Sequence, residues 1–178
     1  MPAPPQEPTG DPYVDVFRRL EHAGVRYVIV GVFGINLYAQ KAGEFITTAD
    51  CDILVPAKLE VLSKALAILI ESGFFLEAGG EPLPEVDDVL LQGILRARAA
   101  IRADRPDARI DLCIDIAGAT FDELWQNHRT FDVQDTPLRV GDIGALVASK
   151  VAADRPKDRL FLELHKETIE ALLRKEAK

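Results

Sequence analysis

The sequence predicts an α+β domain, and three observations carry that prediction. In the N-terminal half, segments with helical spacing of apolar residues alternate with short β-branched runs. Paired extended segments joined by tight polar turns come next. The residues after 140 have helical spacing alone. At 178 residues and 48% hydrophobic content, the chain is long and apolar enough for one globular domain with a buried core and a small helical appendage.

Residues 1–10 hold Pro2, Pro4, Pro5 and Pro8 and are expected to form a disordered tail. Asp11-Pro12 opens a helix, because Asp caps well and Pro costs nothing at the first helical position. Tyr13, Phe17 and Leu20 share its apolar face, and Gly24 ends it. Val25 to Gly31 is expected to be a buried strand, Gly34 to Gln40 a short helix, and Ala49 to Val55 a second strand. Pro56 breaks that strand and starts a helix whose stripe is Leu59, Leu62, Leu66, Leu69 and Ile70, stopped at Gly73. Residues 78–88 are expected to form a long acidic loop. Leu90 to Ala103 and Ala108 to Ile116 read as two strands around a turn at Asp104-Arg105-Pro106-Asp107. A helix over Phe121 to Asn127, a hairpin of Arg129–Val133 with Thr136–Val140, and helices over 141–153 and 156–177 complete the chain. The expected division is a tail over 1–10, a core over 11–140, and helices over 141–178 packed on that core.

The formal net charge is −8, so nothing at whole-chain level asks for nucleic acid or an anionic membrane. No apolar run approaches the roughly 18 residues of a membrane span. Residues 1–10 have no basic residue and no apolar centre of signal-peptide type. Cys51 and Cys113 fall in predicted strands. With the acidic faces aligned, Cys51 points away from that face and Cys113 lies on it, so free thiols and a reducing, cytoplasmic setting are expected. His22, His128 and His165 have no metal-ligand spacing with the cysteines and are expected at surfaces or helix ends.

The chemistry points to Thr48-Ala49-Asp50-Cys51-Asp52. Strand side chains alternate, so Asp50 and Asp52 share a face. Two like charges side by side cost energy unless a cation or proton lies between them. A hard divalent ion suits oxygen ligands, and Mg²⁺ commonly brings substrate phosphates with it. Asp111, in Ile110-Asp111-Leu112, is the candidate third carboxylate, with Asp115 as its alternative. Such a triad could hold two Mg²⁺ ions about 3.5–4 Å apart. Gly31 and Gly34 form a strand-to-helix turn suited to a phosphate. Lys150, Arg155 and Lys157 gather near a helix junction and could grip a triphosphate. Arg96, Arg98 and Arg102 fall on one face of the predicted strand over 90–103, where cross-strand pairing with the acidic strand is the simplest reading.

These residues resemble the polymerase-beta-like nucleotidyltransferase superfamily in its small bacterial minor and toxin-type forms. The likeness lies in Val28-Ile29-Val30-Gly31-Val32, Thr48-Ala49-Asp50-Cys51-Asp52, Ile110-Asp111-Leu112, and Lys150 followed by Arg155-Pro156-Lys157-Asp158. It spans roughly residues 12–170. It implies a mixed β-sheet with flanking helices and a helical C-terminal part. It also implies Mg²⁺-dependent transfer of a nucleoside monophosphate from a nucleoside triphosphate to a hydroxyl acceptor, which could be a small molecule, RNA or protein. Asp50, Asp52 and Asp111 would hold metal, Asp111 could also act as base, and Gly31 would approach the phosphates. Two departures stand out: Val32 replaces the second Gly or Ser of the turn, and Ile46 replaces an Arg. They leave room for a catalytically degenerate binding or regulatory module with a protein partner, of toxin–antitoxin type.

Overall fold

A computed structural model of the chain describes residues 10–178. The expected tail therefore lies, apart from Gly10, outside the described residues. The chain runs α1 (Pro12–His22), β1 (Val28–Val30), α2 (Gly31–Lys41), β2 (Cys51–Leu54), α3 (Leu59–Glu71), β3 (Phe75–Ala78) and β4 (Glu81–Pro82). It continues with α4 (Asp88–Ala97), β5 (Ile101–Arg105), β6 (Ala108–Cys113), α5 (Phe121–Asn127), β7 (Arg129–Val133) and β8 (Thr136–Val140). Helices α6 (Ile143–Ala153), α7 (Pro156–Leu164) and α8 (Lys166–Glu176) close it. The eight strands form one mixed sheet in the order β4-β3-β5-β6-β2-β1-β8-β7. β2 lies parallel to β6 and antiparallel to β1, while β1 and β8 are parallel. The helices flank this sheet, as the resemblance implies.

Local chemistry explains most elements. The Asp11 carboxylate accepts from the Tyr13 and Val14 amides, and Pro12 opens α1. Val16, Phe17 and Leu20 are buried below it, with Phe17 stacked on Tyr27. The Tyr13 hydroxyl accepts from the Arg109 amide at 3.2 Å and ties α1 to β6. Thr120 and Glu123 form a reciprocal capping box at the start of α5. Leu62, Ala65, Leu66 and Leu69 of α3 enter the core, which also receives Ile143, Leu146 and Leu172 from the C-terminal helices. The Tyr38 hydroxyl donates to the Gly141 carbonyl at 2.9 Å, joining α2 to the entrance of α6.

The structure corrects several expected boundaries. Residues 90–103 are not one strand. Asp87 caps Leu90, α4 runs to Ala97, Arg98 closes it at φ 51°, and only Ile101–Arg105 is extended. Leu91 and Ile94, three apart and both buried, are the helical signal within that apolar run. Arg96 therefore sits in a helix, Arg98 at its cap and Arg102 in β5, so the expected three-arginine strand face does not exist. Residues 78–80 turn the chain into a short β3–β4 hairpin, so the expected long loop is in part sheet edge. Ile70 is half-exposed instead of completing the α3 stripe. The last helix divides at His165 into α7 and α8. The sequence spans drawn for the first strands and α2 shift by a few residues at their ends, while α5, β7 and β8 match in full. No helix among the described residues is long and apolar enough to cross a membrane.

Candidate functional site

The backbone brings the carboxylates together. In the parallel β2–β6 pair, Asp52 and Asp111 are register partners and Cys51 faces Ile110. Asp52 and Asp111 therefore project to one side, while Cys51 is fully buried on the other. Asp50 lies just before β2, where its side chain accepts from the Thr48 hydroxyl at 3.2 Å. One carboxylate oxygen from each of Asp50, Asp52 and Asp111 lies within 4.8 Å of the others.

This proximity has an electrostatic cost. Burial, with the neighbouring charges of Asp50 and Asp111, pushes the Asp52 carboxyl up to about 6. Lys150 and Lys157 pull it down, which places their charge in the same field. Arg102 supplies the other compensation. It is the cross-strand partner of Asp111, and its Nε and Nη2 donate to the two Asp111 oxygens at 2.9 and 3.4 Å.

Gly31 stands against this cluster at φ +67°, a conformation that glycine adopts without strain. A Cβ there would overlap the Asp52 carboxylate, meeting its Cγ at 3.2 Å. Gly31 thus lets the turn between β1 and α2 close onto Asp52. Asp115 lies outside the triad: it sits beyond the end of β6 and pairs with Arg98 at 3.3 Å, with both side chains largely in water. The expected cross-strand contact of Arg102 with Asp111 is present, and Arg109 pairs with Asp104 besides.

The triad lies in a cleft of about 590 Å³. Lys150, Arg155 and Lys157 also line it, as do Gly79 and Gly80 of the β3–β4 turn. A second recess of about 290 Å³ contains Gly31 and shares Asp52, Lys150 and Arg155 with the first. Val32 lines the main cleft. Ile46 is buried, and its amide donates to the Asn36 side chain at 2.8 Å, so this position belongs to the packing. Sequence reasoning did not assign a role to Asp158. It is buried at the start of α7, where its carboxylate accepts from Lys150 at 3.1 Å and from Arg155. Its position two residues after Pro156 gave the signal for a helix start but not for burial.

No family model matches the chain, and no curated protein matches its sequence. Solved structures do match. The lincomycin-bound lincosamide antibiotic adenylyltransferase LnuA superposes with a TM-score of 0.56 at 14% identity, covering 87% of this chain and 94% of that one. ANT(2'')-Ia, an antibiotic-resistance factor solved in solution, gives 0.51 at 17% identity, covering 90% of this chain and 86% of that one. TM1012 of Thermotoga maritima, provisionally assigned as a nucleotidyltransferase, gives 0.51 at 14% identity, covering 92% and 88%. These likenesses show that the chain shares the fold of these nucleotidyltransferase structures. Its site is a triad of aspartates in a cleft that basic side chains also line.

Proposed function

We propose that the protein is a Mg²⁺-dependent nucleotidyltransferase that moves a nucleoside monophosphate from a nucleoside triphosphate to a hydroxyl acceptor. The observation that carries this reading is the meeting of Asp50, Asp52 and Asp111 within 4.8 Å, in a cleft that Lys150, Arg155 and Lys157 also line. The donor set fits the ion: every ligand atom is a carboxylate oxygen, and three carboxylates meet with only Asp111 directly paired to an arginine. Mg²⁺ held by these three carboxylates would activate the acceptor hydroxyl and neutralise phosphate charge.

The chain's own residues supply positioning and charge, which is most of what phosphoryl chemistry requires. Lys150, Arg155 and Lys157 neutralise the triphosphate from the cleft lining. Gly31 keeps the β1–α2 turn low, so that backbone can approach the phosphates. The acceptor oxygen bonds to the α-phosphorus as the bond to the bridging oxygen breaks, pyrophosphate leaves, and the hydroxyl proton passes to a carboxylate of the cluster.

The test is transfer of label from α-labelled triphosphates, with Mg²⁺, to a panel of small-molecule, RNA and protein hydroxyls. Asp50→Asn and Asp52→Asn are expected to cut transfer by at least about a hundredfold. Equal turnover in those variants would end this reading. A second reading, a nucleotide-binding or regulatory module without catalysis, is favoured by Val32 in the cleft lining. It predicts a thermal shift with Mg²⁺ and a triphosphate, about 2.7 kcal/mol at a hundred times the dissociation constant, and no transfer to any acceptor.

A further inference from the structure

We propose that Asp158 is a positioning residue for Lys150, holding its ammonium at the cleft wall where it meets the outer phosphates of a nucleoside triphosphate. This inference rests on the nucleotide site proposed above. Asp158 is 1% exposed and is the single charged residue buried among the described residues. An ionised carboxylate is expensive to bury unless it is paired and hydrogen-bonded, so its neighbours must hold it there.

Three features meet that need, and the last of them also fixes Lys150. Asp158 sits in the first turn of α7, behind Arg155 and Pro156, where the helix N-terminus favours negative charge. Arg155 braces it by donating through Nε and Nη2. Lys150, from the last turn of α6, donates across the junction at 3.1 Å, and its ammonium lies 4.9 Å from the centre of the Phe161 ring. The Lys150 side chain is 11% exposed, whereas that of Arg155 is 56% exposed. Lys157 makes no ion pair among the described residues, so binding would have to order it.

Lys150 is therefore set in place before any ligand arrives. An ammonium has three donors, and Lys150 spends one on Asp158. The others remain for the cleft that Lys150 lines together with Asp50, Asp52 and Asp111. A cation already ordered costs less to recruit than a free one, so the arrangement favours ligands in proportion to their phosphate charge. An aspartate that only stiffened the α6–α7 junction would confer no such preference.

The experiment measures binding of the four Mg²⁺-nucleoside triphosphates and the matching monophosphates to the full chain by calorimetry, without acceptor. Asp158→Asn is expected to weaken triphosphate binding about tenfold and monophosphate binding less than about twofold. In a Lys150→Met background, the same substitution is expected to change triphosphate binding by less than about twofold, because the group it positions is gone. Should Asp158→Asn alone not fold, Lys150→Met/Asp158→Asn is compared with Lys150→Met, since the anion and its buried cation then leave together. Equal affinity in that pair supports the proposal, and weaker binding in the double variant overturns it. An unchanged triphosphate affinity in Asp158→Asn, or an equal loss for monophosphates, also overturns it while leaving the nucleotide site standing. A wild-type chain that binds no triphosphate would overturn both.

Discussion

Two charged clusters face the same cleft on opposite terms. Asp50, Asp52 and Asp111 put like charges together, and Arg102 answers only Asp111 directly. Lys150, Arg155 and Asp158 put opposite charges together, and each finds its partner within the cluster. The first cluster leaves two of its three charges without a direct partner; the second is complete within itself. The difference teaches where stability and the proposed function part: the crowded cluster is the one proposed to take an ion, and the paired cluster already satisfies its own charges.

The comparison breaks most sharply at Asp158. Asp158→Ala is expected to lower unfolding stability by about 3 kcal/mol in urea titrations, because Lys150 is left buried without its counter-ion. The sign of the pH effect follows. Burial raises the Asp158 carboxyl, but Arg155 and Lys150 outweigh it and hold it below the ordinary carboxylate range. Its contribution is therefore present above the unfolded value near about 4 and fades as pH falls through the folded one. Stability of Asp158→Ala should vary less with acid than that of the wild type.

Gly31→Ala comes next, at about 2 kcal/mol by the same titration. It combines a left-handed backbone with overlap on Asp52. A loss under about 0.5 kcal/mol would mean that the turn has room to relax. Asp52→Asn should act in the opposite direction, raising stability without metal by about 1 kcal/mol, since one of three crowded charges is removed. On the proposed function, Mg²⁺ should raise the melting temperature of the wild type, and Asp52→Asn should lose that shift. The smallest effect belongs to Asp115→Asn. Its exposed pair with Arg98 is worth less than about 0.5 kcal/mol, and transfer should stay within about twofold.

Much of this was legible in the sequence because the signals were local. Asp11-Pro12, Thr120 with Glu123, and the alternation around Asp52 each need only a few neighbouring residues. What escaped needed distant ones. Residues 88–97 carry enough Leu and Ile to suit either strand or helix, and Asp87 as a cap was the deciding feature. β3 shows little alternation because, of its four residues, only Leu76 is buried. Asp158 looked like an ordinary charge at a helix start, since its burial depends on Lys150 from the preceding helix and on how α6 meets α7. Asp115 could compete with Asp111 on spacing alone until β6 was seen to stop at Cys113.

The parallel register of Asp52 with Asp111 has a wider consequence. Between them the chain passes through α3 and α4 and adds β3, β4 and β5 to the same sheet before β6 returns beside β2. Closing a longer excursion costs free energy only with the logarithm of its length. The helices and turns between the strands can thus vary in length, while Asp52 and Asp111 stay neighbours through the β2–β6 pairing.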